Sequence, residues 1–277
     1  MNKSILNVSG VASPQASHLL HLKRNAKIHS IFSNGFHFVT GGQLVYVSHY
    51  PTSFLGAFDL RIEKSALKII LDHIKVGQLV KLQEDSLIFY TRPNILTIQI
   101  NLQEAPDLRI SRLQGIQLKE NRHFVLEELK NQRILERSGF PENEQIYPIW
   151  RQIINRGTIT DQEILQLIGA GKGLTPSGDD FLQGYLMMDL LSGAQGQIRE
   201  RLIAALKQRN TTDVAYNYYQ MLFSGYLSEF WIQLFKTWSI GDQDNIARLI
   251  EAITHYGHSS GCDLLLGMGS YIINYFK

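Results

Sequence analysis

Cysteine is almost missing: Cys262 is the single one in 277 residues. That excludes an internal disulfide framework and any cysteine-rich zinc site. It suits a reducing compartment, and the cytoplasm is the expected location. Charge of one sign is equally scarce. Lys+Arg is 27 and Asp+Glu is 25, a formal net charge of +2. A nucleic-acid binder driven by counterion release carries a clear basic excess, and a disordered charged tail carries a large net charge with few aromatics. Neither class fits, and no nucleic-acid partner is expected. No apolar run approaches the roughly 18–20 residues that span a bilayer. The opening stretch MNKSILNVSGVASPQ has one lysine and no apolar core of a signal peptide, so no membrane association is expected. Low-complexity segments and long linkers are absent too. What the chain does have is 44% hydrophobic and 10% aromatic residues, enough for a well-buried core. The length suits one large domain or two ordinary ones.

Residues 1–118 read as β-rich. KIHSIFS, FHFVT and QLVYVSH are short, aromatic and β-branched, and Gly41–Gly42 marks a hairpin between the last two. LVKLQ and SLIFYT flank a turn at Glu84–Asp85, and Pro93–Asn94 precedes the alternating ILTIQI. Two helices interrupt this region. One starts at Pro14 with Ser13 as N-cap; the other covers about 64–74, where Leu67, Ile70, Leu71 and Ile74 recur at helical spacing. A small barrel or sandwich is expected.

Residues 119–277 read as almost all helix. KENRHFVLEELKNQRILER forms one amphipathic helix that ends at Gly139, where Gly-Phe-Pro breaks it. Further helices are expected around 144–155, 161–168, 179–192, 197–208, 213–223, 226–237, 243–255 and 262–276. The ones from Asp179 and Cys262 are apolar nearly all round, which implies two buried central helices. Strands first and helices second make the chain α+β.

The most informative stretch is GAGKGLTPSGDDFLQGYL, from Gly169 to Leu186. Gly169, Gly171 and Gly173 permit positive φ and expose successive N–H groups ahead of a helix N-terminus, a general anion cradle. It is neither a P-loop, whose spacing is absent, nor a dinucleotide fingerprint, because no strand precedes it. Asp179 and Asp180 open the helix. One reading is capping; the other makes them acid/base carboxylates, or ligands for a divalent cation such as Mg2+, the one cofactor these residues suggest. Lys172, Thr175 and Ser177 share the same short stretch.

The pattern returns. Ser177-Gly178-Asp179-Asp180 and Ser260-Gly261-Cys262-Asp263 both begin S-G-x-D-[FL]-L-x-G, 83 residues apart. Two independent capped helices would explain this. So would two helix N-termini converging on one ligand, with Asp180 and Asp263 as counterparts and His258 and Ser259 at the rim. Cys262 has Asp179 as its counterpart, so a nucleophile is not shared between the copies and Cys262 reads as structural. Thr211 and Thr212 form a hydroxyl-rich turn that caps a helix or touches substrate. His29-Ser30 on a strand, and Arg61, read as structural or surface residues.

The long motif GxGxGLTPSGDDFLxG, a helix bearing Thr211-Thr212, and then GHSSGxDxLxG resemble the AllH family, a subunit of bacterial oxamate carbamoyltransferase. HSIF and GAFDLRI in the front part look familial as well. The resemblance implies a place in allantoin catabolism, within purine catabolism. There oxalurate and phosphate interconvert with oxamate and carbamoyl phosphate in a complex with other subunits. Acyl transfer to phosphate needs anionic oxygens cradled and a developing oxyanion stabilised. On that reading Asp179, Asp180 and Asp263 are the catalytic candidates. Gly171, Gly173, Thr175, Ser177, Gly178, Thr211, Thr212, His258, Ser259, Ser260 and Gly261 would bind the small anionic substrate. A non-catalytic binding or scaffolding subunit, and an unrelated small-anion-processing enzyme, are the alternatives.

Overall fold

Eight strands close into a barrel in the computed structural model, which describes residues 3–22, 24–49, 56, 58–83, 85–91, 95–103, 105–113, 118–193 and 197–276. The strands are β1 (Lys3–Ala12), β2 (Asn25–Phe32), β3 (Gly35–Thr40), β4 (Gln43–His49), β5 (Asp59–Ile62), β6 (Leu79–Gln83), β7 (Ser86–Tyr90) and β8 (Ile95–Gln103). Their order around the barrel is β1-β5-β4-β3-β2-β6-β7-β8, and β8 pairs back onto β1 in parallel. Alternation explains the interior: Phe36 and Phe38, Val45 and Val47, Leu87 and Phe89, and Ile98 are wholly buried inside, while the residues between them face outward. Gly41 and Gly42 supply the left-handed turn between β3 and β4, with φ of 57° and 80°. Helix α1 (Pro14–His21) begins on Ser13, whose hydroxyl accepts from the Ala16 N–H, and α2 (Lys64–Leu71) follows β5. β1 and β5 went unread in the sequence: the alternation of β1 is diluted by small and polar residues, and β5 has only four. The Pro93–Asn94 signal and Glu84 lie outside the described residues.

The helical region comprises α3 (Arg122–Asn131), α4 (Ile134–Arg137), α5 (Tyr147–Arg156), α6 (Asp161–Leu167), α7 (Ser177–Ser192), α8 (Gln197–Leu206), α9 (Asp213–Phe223), α10 (Glu229–Ile240), α11 (Gln243–Thr254) and α12 (Ser260–Tyr275). The single helix expected to end at Gly139 is divided into α3 and α4, because Arg133 takes a left-handed φ of 53°. Its side chain carries no breaker signal. α7 and α12 are the central pair, and Phe181, Tyr185 and Tyr271 on them are fully buried, as are Tyr219 of α9 and Phe235 and Trp238 of α10. No helix among the described residues is long and apolar enough to cross a membrane. The chain divides into two compact units, Met1–Leu108 with Leu227–Glu229, and Arg109–Tyr226 with Phe230–Lys277.

Candidate functional site

The glycine-rich loop leaves α6, whose start is fixed by a capping box between Thr160 and Glu163. Gly169, Gly171 and Gly173 then take φ of 69°, 129° and 86°. Gly178 does not share this conformation. A Cβ there would run into the Leu167 carbonyl oxygen, so its glycine serves close packing of α7 on the end of α6. Its N–H donates to the Ala170 carbonyl at 2.8 Å, and the Asp179 and Asp180 N–H groups donate to the Pro176 carbonyl at 2.9 and 3.1 Å. The first-turn donors of α7 are therefore used within the loop.

The second motif repeats this geometry. The Gly261 N–H donates to the Tyr256 carbonyl at 3.0 Å, and a Cβ on Gly261 would strike the Ile253 carbonyl oxygen at the end of α11. Where α7 and α12 cross, a Cβ on Gly184 would strike the Leu264 carbonyl oxygen, and one on Gly267 would strike that of Phe181. These are the same two positions in each copy, exchanged. The two helix–turn–helix units, α6–α7 and α11–α12, thus face each other as a local pseudo-twofold pair.

The exchange extends to the polar groups. The Ser259 and Ser177 hydroxyls act on the Asp263 carboxyl, and the Ser260 and Thr175 hydroxyls on that of Asp180, each opposing the upward push of burial. The Thr175 and Ser260 hydroxyl oxygens lie 2.7 Å apart. The Gly139 N–H donates to Asp263 Oδ1 at 2.9 Å, and a Cβ at Gly139 would collide with the Ser177 hydroxyl. Asp180 and Asp263 are 2% and 0% exposed. The Oδ2 atom of each is buried with no hydrogen-bond partner among the described residues. Burial, with the neighbouring Asp263 and Asp179 charges, holds the Asp180 carboxyl well above the usual range; burial raises Asp263 in the same direction.

Asp179 has a separate role. Its Oδ2 accepts from the Gly169 N–H at 3.0 Å and the Thr211 hydroxyl at 2.6 Å, and its Oδ1 from the Tyr219 hydroxyl at 3.1 Å. Burial pushes it up to about 6, against the pull of these donors. Thr212 caps α9 by accepting from the Ala215 N–H and donates to the Leu174 carbonyl. Asp179 and the two threonines thereby hold the glycine-rich loop against the start of α9. Both Asp179 oxygens are taken, so it is a poor ligand for a divalent cation, and no group of three or more His, Cys, Asp or Glu among the described residues is arranged to hold a metal ion. Cys262 is buried and its thiol is pushed up by that burial, against any thiolate.

Gly178 and Gly261 serve close packing, and the other candidate residues fall into three sets. Thr175, Ser177, Asp180, Ser259, Ser260 and Asp263 meet between the two motifs. Asp179, Thr211 and Thr212 meet at α9. Gly171, Lys172, Gly173 and His258 stand exposed at the loop tips. Sequence reasoning missed Gly139 and Tyr219 as partners. Gly139 was legible only as a helix stop, and nothing distinguishes Tyr219 among the tyrosines around it. Two surface grooves, of about 820 Å³ on the barrel and about 350 Å³ between α8 and α9, are lined by none of these residues.

The family model for AllH, described as oxamate carbamoyltransferase subunit AllH, matches residues 167–272. The match begins at the end of α6 and ends within α12, so it encloses both motifs and the Thr211–Thr212 turn. No solved structure matches the chain.

Proposed function

We infer that this chain is a cytoplasmic subunit of an oxamate carbamoyltransferase-type complex, with small anions engaged at the tips of the two glycine-bearing turns. The family match over both motifs supports the coarse reading. The observation that supports the finer one is the contact of the Thr175 and Ser260 hydroxyls at 2.7 Å, one from each turn, beside the buried Asp180 and Asp263. In the reaction, a phosphate oxygen attacks the ureido carbonyl carbon of oxalurate. The bond to nitrogen breaks, and oxamate leaves with a proton on that nitrogen while carbamoyl phosphate forms. All the participants are anions. The exposed Lys172 and His258, the Thr175 and Ser259 hydroxyls, and the loop N–H groups are suited to receive them. Asp179, Asp180 and Asp263 then act as positioning groups, since their burial keeps them from substrate. In this reading the β-rich domain, residues 1–118, and the helical domain, residues 119–277, divide the work, and the second carries the anion site.

The test is reconstitution. The chain is purified alone and with its partner subunits, and phosphate-dependent formation of carbamoyl phosphate from oxalurate is measured. Turnover should require this chain, and Lys172→Ala together with Gly173→Ala should lower it at least about tenfold. A complex that turns over equally well without the chain overturns the reading. A second reading, a non-catalytic scaffolding subunit, is favoured by the burial of all three carboxylates. It predicts that the chain is needed for assembly while the loop-tip variants keep full turnover.

A further inference from the structure

We propose that Ser30 is a nucleophile, activated by His37, for acyl or carbamoyl transfer from small activated esters or amides. The site lies on the outer face of the barrel and is built by an irregularity in β2. Ile28 pairs with Phe38, both inside the barrel, but the next pair is Ser30 with His37. His29 is the extra residue of a β-bulge, so His29 and Ser30 reach the same side of the sheet instead of opposite sides. Bulges of this kind re-aim side chains. Here the Ser30 hydroxyl oxygen stands 3.0 Å from His37 Nδ1 and 3.3 Å from His29 Nδ1.

His37 is held in place. It is 6% exposed, and its ring is clamped edge-on by Phe32 at 5.4 Å and tilted against Tyr46 at 4.9 Å. Burial, and secondarily His29, lowers it to about 4, so the ring is neutral near pH 7. Ser30 is only half-buried, and Phe32 beside it is 36% exposed, so a small acyl group can approach. A hydroxyl within hydrogen-bond reach of a positioned neutral imidazole is the arrangement that nucleophilic catalysis requires.

In the step, Ser30 Oγ attacks the carbonyl carbon of R–CO–X and its proton passes to His37 Nδ1. The C–X bond breaks and X leaves with that proton, giving the ester of Ser30. Water then attacks the ester carbonyl and gives a proton to His37. The C–Oγ bond breaks, the acid R–COOH is released, and the proton returns to Ser30.

The purified full chain is treated with a fluorophosphonate probe, which forms a bond from serine Oγ to phosphorus and releases fluoride. The labelled residue is read by peptide mass spectrometry. Ser30 should be labelled at least about 100-fold faster than the other serines, in line with general-base assistance. His37→Phe, which keeps the ring packing, and His37→Gln should each remove most of that advantage while a thermal melt shows the fold retained. Ser30 labelling no faster than the other serines, or labelling unchanged in whichever His37 variant folds, overturns the proposal and leaves Ser30 as a strut for the bulge.

Discussion

Asp179 shows how a residue read as a catalytic candidate spends both oxygens on structure. Three donors converge on it from the loop, the threonine turn and α9. Asp179→Ala should cost about 3 kcal/mol in urea unfolding, since it leaves buried donors without acceptors. Tyr219→Phe removes one of the three and should cost about 1 kcal/mol. Asp180 adds a pH signature. Its folded-state carboxyl lies well above the usual range, so its contribution to stability is full when it is protonated and is lost as the pH rises. Asp180→Asn keeps the shape and carries no charge. Its melting temperature should therefore gain on that of the wild type as the pH rises above the ordinary carboxylate pKa of about 4. A difference that stays flat, or shrinks with pH, would show that Asp180 is not held protonated.

At the scale of elements, the crossing of α7 and α12 depends on two glycines that meet the opposite backbone. Gly184→Ala and Gly267→Ala each force the helices apart and should cost about 3 kcal/mol or more, with similar values by virtue of the exchange symmetry. Gly173 offers a contrast. A Cβ there meets nothing within 4 Å, and only the φ of 86° opposes it. Gly173→Ala should cost about 1–2 kcal/mol and leave the fold intact, which makes it a usable probe of the loop tip. Chemical denaturation of the three variants checks the order; a Gly184→Ala penalty no larger than that of Gly173→Ala would mean the crossing adjusts freely.

At the scale of the whole molecule, the chain leaves the barrel once and returns briefly. Leu227–Glu229 belongs to the barrel unit, where the Leu227 N–H donates to the Leu108 carbonyl at 2.9 Å and Glu229 pairs with Arg61 at 3.3 Å. The side chains of this ion pair are only 12% and 22% exposed. Glu229→Ala should cost about 2 kcal/mol, above the range of an exposed pair. A thermal melt with a barrel-region probe would read it, and an unchanged midpoint would show the returning segment to be dispensable.

Much of the architecture was legible in the residues alone. The change from period-two alternation to helical periodicity divides the strands from the helices, Ser13 announces α1, and the all-round apolarity of two segments marks α7 and α12 as central. The S-G-x-D repeat is legible as a repeat, with independent capping and a shared site both open to it. These are local properties, set by backbone preference and by which face must be buried. Other features depend on segments far apart in sequence. The parallel pairing of β8 with β1 closes the barrel. The placing of Ser177 and Ser260 beside the opposite motif's carboxylate, and the meeting of Gly139 with Asp263, are of the same kind. No local periodicity encodes a contact between residues 80 or more positions apart. Only packing decides that Gly178 is small for the sake of a neighbouring carbonyl, or that Asp180 and Asp263 lose their water to each other's helix.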